Sequence, residues 1–430
     1  MPLKNATNKY SFVDLFSGPG GLSLGFKMSG FFEPVAAVES DSKAAETYGA
    51  NLGIDVIKEK VETVDPTELL RRAKEKGYGI INAVIGGPPC RSFTTANKGG
   101  TRWEKIREKN KKETGDVEHP DWLSFWRIIE ALDPKPQIVL AENVTGFKNH
   151  DDVFSKFLNR LEKYYVTTYQ ELHAHCFGVP QSRKRIFIAG IGGFEGNRDS
   201  ILPVNPKLES VKIVTVGDAI SDLPDLSNDS QGTEISTYRK GRPTHYQSLL
   251  RERRGVLYDH ITHSVHPVMA ERFKHIPQGC NLSKVWGDSR IPEASMRSHY
   301  LKGNVVRQFS EETLKNMHSN IYRRLEWDSM SCTITHVRKT VLIHPLQDRL
   351  ISIREAARLQ SFPDWFRFSG TTSQQYQQIA DAVPPLLAKA LAAHLGRLKI
   401  HIPQSAKPFQ ENASDHLAVV HCGKLDKTRS

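Results

Sequence analysis

An α/β fold, a parallel sheet with a second, smaller, loop-rich domain attached, follows from three features of the chain. Short apolar runs alternate with helical patterns through the first half. After Gly192-Gly193 the texture turns polar and rich in Arg, His and Ser, without clear periodicity to about Tyr322. A strongly apolar helical segment then returns at Pro384–Leu398. At 430 residues the chain can bury a large core and hold two domains. The texture divides it into 1–192, 193–373, a returning helix over 374–402 and a polar tail over 403–430.

In chain order, Tyr10–Phe16 is apolar enough for a first strand and runs into a glycine-rich turn, after which Leu22–Met28 has helical spacing. Pro34–Val38, Ile80–Ile85, Gln137–Ala141 and Arg185–Ile191 read as further strands. Pro66–Glu75 and Trp122–Leu132 read as helices between them. Strand-like alternation near Ser331 and a helix at Ser352–Gln360 precede the last apolar helix.

The balance of 59 Lys+Arg against 48 Asp+Glu, a net +11, suits a polyanionic partner. Five scattered cysteines without CxxC spacing argue against a zinc site or a disulfide framework, and for a reducing compartment. Met1–Lys9 has no apolar signal core, and no stretch reaches the length of a membrane span. A soluble intracellular protein without a metal is the expectation.

The chemistry concentrates at strand ends. Gly18, Gly20 and Gly21 in Asp14-Leu15-Phe16-Ser17-Gly18-Pro19-Gly20-Gly21 let the backbone turn sharply and approach a ligand. Ser23 stands where a dinucleotide fingerprint has its third glycine. Glu39, ending the second strand, can accept both hydroxyls of a ribose, so turn and acid together point to a nucleoside-containing cofactor. Pro88-Pro89-Cys90 presents a thiol on a rigid turn; a buried, inert cysteine is the ordinary alternative. Glu142 in Glu142-Asn143-Val144 ends another strand, and a carboxylate there is costly unless paired or used. Arg183 and Arg185, two apart in an extended segment, project to one side and can hold phosphate or a carbonyl oxygen.

Taken in order, the GPGG loop, PPC, ENV, QxRxR, RLQxFP at Arg358–Pro363 and AVPP at Ala382–Pro385 resemble the DNA cytosine-5 methyltransferases of the prokaryotic type. The likeness spans nearly the whole chain apart from the variable middle and the last thirty or so residues. It implies a Rossmann-like methyltransferase sheet with a target-recognition domain, S-adenosylmethionine as cofactor, and a cytosine flipped out of double-stranded DNA as substrate. Cys90 is then the nucleophile on carbon 6, Glu142 the group that shares a proton with ring nitrogen 3, and Arg185 the cation on the base carbonyl, with Arg183 nearer the phosphate. For the cofactor the resemblance assigns Phe16 to the adenine face, Gly18, Gly20 and Gly21 to the methionine part, Glu39 to the ribose, and Pro89, Leu123, Asp381 and Val383 to the pocket wall. A cytoplasmic, nucleoid-associated bacterial enzyme, monomeric on DNA and paired with a restriction endonuclease of the same site or acting alone, completes the expectation.

Three positions depart from the family pattern: Arg91 after the nucleophile, Lys60 where an acid meets the adenine amine, and Asp381 in place of Asn. A cation at Arg91 would lower the thiol pKa. Lys98–Lys112, with seven Lys/Arg against two Glu, reads as a basic loop closing over the base. Tyr238–Arg254, with six Arg/Lys and one Glu among Tyr and His, reads as groove-facing, and Thr333-Ile334-Thr335 resembles a short strand closing the recognition domain. A tRNA-directed relative would carry Cys-Phe-Thr where this chain has Cys176-Phe177-Gly178 and would have a shorter middle region. A nicotinamide oxidoreductase fails on the glycine spacing, and a dead DNA-binding relative on the intact Cys90, Glu142 and Arg185.

Overall fold

Apolar runs of the first half pair into one sheet in the computed structural model, which describes residues 9–89, 119–226, 232–285, 298–301, 304–308 and 322–399. Its strands are β1 (Tyr10–Leu15), β2 (Phe32–Val38), β3 (Ala83–Gly86), β4 (Ile138–Asn143), β5 (Val166–His173) and β6 (Lys184–Ile191), in the order β2-β1-β3-β4-β6-β5. The first four run parallel. Helix α1 (Gly21–Met28) packs on one face, while α3 (Pro66–Glu75), α4 (Pro120–Ala131) and α5 (Asp151–Leu161) cover the other. Helix α2 (Ser42–Leu52) turns its apolar side to the second half of the chain. Caps explain the boundaries: Asp41 accepts from the amides of Lys43 and Ala44, and Asp65 with Pro66 opens α3. Pro34 is tolerated because β2 is an edge strand, and its pairing slips between Phe12 and Val13.

The expectation of a wholly parallel sheet is corrected at β6, which runs antiparallel to β4 and to β5. The link from β5 to β6 is a tight 3-10 turn, Ala174–Phe177, and a short loop, too short for the crossover helix that parallel neighbours need. Strand β5 was not expected from the sequence. It is an edge strand with only Thr167 and Leu172 fully buried, so its apolar alternation is weak. This reversal puts the start of β6 beside the end of β4, with Asn143 opposite Ile186.

The second half has short elements: α6 (Val216–Ile220), β7 (Gly232–Thr237), α7 (His245–Leu250), β8 (Val256–Ile261), α8 (Pro267–Phe273), β9 (Ser298–Leu301), β10 (Asn304–Gln308), β11 (Arg323–Arg324), α9 (Val337–Thr340), β12 (Leu342–Ile343), α10 (Ile353–Leu359), α11 (Thr372–Asp381) and α12 (Pro385–Leu395). The alternation near Ser331 forms no strand. Ser331 makes an isolated bridge to Gln181, its amide donating to the Pro180 carbonyl and its carbonyl accepting from the Ser182 amide. Helix α12 returns to the sheet and packs on α1, where a Cβ at Gly25 would lie 2.3 Å from that of Ala388. Helix α2 is tied to the second half by Thr47 Oγ1 donating to Gln378 Oε1 at 2.6 Å, and by Asn51 Nδ2 donating to the Arg367 carbonyl at 2.7 Å.

Buried charge does much of the work in this core. The Arg358 guanidinium, wholly buried, bonds Asp222 Oδ1 at 2.8 Å, Asp364 Oδ1 at 2.8 Å and the Ala219 carbonyl at 2.7 Å. Arg349 grips Glu355 through both terminal nitrogens at 2.8 and 2.7 Å, and Glu355 completes a capping box with Ser352 at the start of α10. Removing Arg358 leaves buried carboxylates short of their partner, so Arg358→Ala should cost about 3–5 kcal/mol of stability. The urea midpoint measures this; an unchanged midpoint would show the pairs to be dispensable.

Candidate active site at the carboxyl edge of the sheet

Glu142 sits at the end of β4, 9 % exposed, and the reversed β6 brings Arg185 to it. Arg185 Nε lies 2.9 Å from Glu142 Oε1. The contact is an ion pair without the alignment of a hydrogen bond, so that oxygen keeps acceptor capacity. Burial pushes the Glu142 carboxyl above its usual range; Arg185 and Arg183 pull it back, and Asp381 pushes it up further. The net shift is upward, so the group holds a proton at higher pH than a free glutamate. Asn143, next in the strand, donates from Nδ2 to the Pro88 carbonyl at 3.0 Å and thereby ties the Pro88-Pro89 turn to the strand that carries Glu142. A side chain at Gly87 would stand 3.2 Å from Glu142 Oε2, so the turn passes directly over the carboxylate. Pro89 is exposed at the end of that turn. Cys90 and Arg91, with the basic stretch Lys98–Lys112, lie outside the described residues.

Arg183 is 1 % exposed, and the loop that carries it is fixed by Gln181. The Gln181 amide donates to the Leu359 carbonyl at 3.1 Å and to Gln360 Oε1, and accepts from the Ile334 amide at 3.0 Å. Gln360 in turn donates to the carbonyls of Ile379 and Ala382, at 3.0 and 2.7 Å. Thr333 Oγ1 donates to the Ser182 carbonyl at 2.9 Å. Three motif loops, at 181–185, 358–363 and 381–385, are thus one hydrogen-bonded unit. The role of Gln181 and Gln360 was not read from the sequence, where a polar residue in a loop signals nothing about its partner.

A second cluster forms around the glycine turn. The Gly18 amide donates to Glu39 Oε2 at 2.8 Å and the Asp41 amide to Oε1 at 2.7 Å, so the acid predicted for a ribose stands against the turn. Phe16 adopts a left-handed conformation, φ 57°, half-buried beside the core that α4 fills. The three glycines separate by role. At Gly18, φ +54°, a side chain would meet nothing within 4 Å; at Gly20 it would strike Tyr48 and Leu52; at Gly21 it would sit 2.3 Å from the Val383 carbonyl. Open space for a ligand therefore lies at Gly18, while Gly20 and Gly21 let the protein close on itself. Ser23, which breaks the dinucleotide fingerprint, donates to the buried Asp14 Oδ2 at 2.5 Å and accepts from the Tyr48 hydroxyl at 2.8 Å. Burial is the chief reason that the Asp14 carboxyl is pushed up to about 8.

The residues around this turn fit a nucleoside-bearing group that carries a carboxylate. Helix α1 opens at Gly20 without a side-chain cap and without an acid in its first turn, leaving amides for a carboxylate. The Ser17 hydroxyl, buried beside it, has no hydrogen-bond partner among the described residues. Leu123, 37 % exposed in the first turn of α4, offers an uncovered apolar surface, and its neighbour Trp122 stacks on Phe147 at 4.2 Å. Asp381 is exposed, with Gln377 Nε2 2.9 Å from each carboxylate oxygen. Lys60 pairs with Glu62 at 3.1 Å on the surface.

The basic stretch Tyr238–Arg254 divides. Arg251 pairs with Asp222 at 2.6 Å and stacks 4.5 Å over Tyr238, and Tyr246 is buried, so these hold the second half of the chain together. Lys240, Arg242, Arg253 and Arg254 are exposed.

The C-5 cytosine-specific DNA methylase family matches residues 10–397. The chain is 30 % identical over 401 residues to the type II methyltransferase M.DdeI of Desulfomicrobium norvegicum, covering 89 % of this chain and 88 % of the relative. It is 30 % identical over 441 residues to the type II methyltransferase M.AgeI of Thalassovita gelatinovora, covering 88 % and 97 %. A crystal structure of a putative DNA modification methyltransferase from an E. coli prophage superposes with a TM-score of 0.65 at 24 % identity, over 91 % of this chain and 99 % of the other, a likeness of fold.

The raised Asp14 pKa has a defined sign in stability. Native protein holds that proton between about 4 and about 8 while the unfolded chain has lost it, so the group's contribution falls as pH rises through this window. Asp14→Asn, which keeps an acceptor for Ser23, should gain stability relative to the parent as pH is raised from 4 to 8. Urea midpoints of the two proteins across this range should separate progressively; parallel curves would show that Asp14 titrates normally.

Proposed function

The chain belongs to the C-5 cytosine-specific DNA methylase family, and from that premise we propose that it methylates carbon 5 of a cytosine flipped out of duplex DNA, through a transient covalent bond to Cys90. The observation that carries the reading is the meeting of Glu142, Arg185 and the Pro88-Pro89 turn at one sheet edge, held by the Asn143–Pro88 hydrogen bond.

Carbon 5 of cytosine is a poor nucleophile. Addition of the Cys90 thiolate to carbon 6 forms a C–S bond and moves electron density to carbon 5, provided that ring nitrogen 3 takes a proton. Glu142 is suited to supply it: its raised pKa keeps the acid protonated further toward neutral pH. Arg185, already at the carboxylate, can stabilise charge on the adjacent base carbonyl, and Arg183 lies deeper as a second fixed cation. After transfer, a base removes the carbon 5 proton, the C–S bond breaks, Cys90 leaves as thiolate and ring nitrogen 3 returns its proton to Glu142. S-adenosylmethionine, when bound, supplies an electrophilic methyl group on its sulfonium. Glu39 would hold its ribose, Phe16 and Leu123 its adenine, and the open amides of α1 with Ser17 and Gly18 its amino-acid part, with Pro89, Asp381 and Val383 bordering the pocket.

The net charge of +11 and the exposed Lys240, Arg242, Arg253 and Arg254 support duplex DNA as the partner. The type II names of both bacterial relatives support a place as the modification half of a restriction–modification pair, acting on one short sequence also read by an endonuclease.

Duplex DNA carrying 5-fluorocytosine at the target should trap a denaturant-stable adduct, because fluorine cannot leave as a proton does; Cys90→Ala should form none and transfer no methyl group while still binding DNA. Turnover by Cys90→Ala would sink the covalent route. Glu142→Gln should lower the methylation rate by about 10²–10⁴-fold, read in single-turnover transfer of labelled methyl groups.

A further inference from the structure

The tight turn between β5 and β6 assembles a set of side chains that the methylation chemistry does not use. We propose that His173, His175 and Cys176 bind a borderline-soft divalent cation of the zinc class. One ligand atom from each lies within 4.8 Å of the other two, a grouping reached by folding the short sequence His-Ala-His-Cys into a 3-10 turn. Two imidazoles and a thiol are the donors such an ion prefers, and three protein donors leave a fourth position for water.

The surroundings favour this use. Glu171 Oε1 lies 3.1 Å from His173 Nε2, the carboxylate–imidazole pairing that orients a metal-binding histidine and raises its basicity. His175 Nδ1 is buried and has no hydrogen-bond partner among the described residues, a cost of desolvation that coordination would remove. Cys176 has only a long contact, 3.9 Å, to the Pro206 carbonyl. A bound ion takes the sulfur as thiolate, so binding releases one proton to solvent. Lys184, the nearby cation, is 56 % exposed and turned toward Glu171 at 3.9 Å. The cysteine spacing that argued against zinc remains true of cysteine pairs; this site needs only one.

The position gives the ion a consequence. The Ala174 amide donates to the Arg183 carbonyl at 2.8 Å, and His173 pairs with Lys184 across the strands. An ion here would clamp the arm that carries Arg183 and Arg185. The inference does not depend on the proposed reaction.

Titration of the chelator-treated full chain with Co²⁺ tests it by spectroscopy. One equivalent should produce a thiolate-to-cobalt charge-transfer band and tetrahedral d–d bands, both erased by an equivalent of Zn²⁺. Cys176→Ser should abolish the charge-transfer band and His175→Asn should weaken Co²⁺ binding at least tenfold, while Cys332→Ser leaves both unchanged. Near-ultraviolet circular dichroism identifies any variant that has lost its fold, and native mass spectrometry of the parent with Zn²⁺ provides an independent count of one bound ion. No band in the parent, or a band that survives Cys176→Ser, overturns the proposal.

Discussion

Gln181 and Gln360 meet side chain to side chain in full burial, where three stretches of chain far apart in sequence converge. Each primary amide has two donors and an acceptor oxygen, and here the donors end on the Leu359, Ile379 and Ala382 carbonyls and on Gln360 itself, while Gln181 accepts from Ile334. A buried amide that lost one of these partners would retain the cost of desolvation without its return. The pair therefore holds the loop of Arg183 and Arg185 against the end of α10 and the end of α11. Through Ala382 it also sets the Val383 carbonyl that closes on Gly21. The glycine turn after β1 and the Glu142–Arg185 pair, both at the carboxyl edge of the sheet, are thus linked through this contact.

The same region shows why a stretch of chain with so little regular structure holds together. Short helices and two-residue strands cannot satisfy their own backbone, so arginine side chains do it for them. Arg324 donates to the carbonyls of Ile276 and His344 at 2.7 and 3.0 Å, and Arg354 to those of Tyr258, Pro363 and Phe366 at 2.9, 3.0 and 2.7 Å. Five arginines, Arg183, Arg272, Arg349, Arg354 and Arg358, are among the largest fully buried side chains. A basic composition thus divides in two: part of it is a scaffold of buried guanidiniums, and part lies exposed on the surface. The division of Tyr238–Arg254 into Arg251 inside and Lys240, Arg242, Arg253 and Arg254 outside is the clearest instance.

Much of the site could be read before folding. The apolar runs at 10–16, 34–38 and 137–141 lie within a residue or two of strands β1, β2 and β4, and Pro66–Glu75 is α3. Gly18, Glu39, Glu142, Arg183 and Arg185 stood out because glycine, acid and paired cations at strand ends are each costly without a use. Strand β5 escaped notice since an edge strand half in water has little apolar alternation to show. Ser23 looked like a failed glycine, and its purpose became visible only with Asp14 and Tyr48 beside it. Asn143 sat in view next to Glu142, but its hydrogen bond to Pro88 spans two loops and leaves no trace in spacing.

The amino-acid sequence by itself determined the α/β class, the order of the strand-end motifs and the identity of the acid and the cations, because these depend on local patterning and on residue chemistry. It also carried the family, through motifs in a fixed order. Tertiary structure decided which of those residues meet. A sheet parallel throughout would have sent the start of β6 to the edge opposite Glu142; the link after His173 is too short for a crossover, so β6 turns back and Arg185 arrives 2.9 Å from the carboxylate. Strand direction is a property of connection length and pairing across the sheet, and residue type alone does not express it.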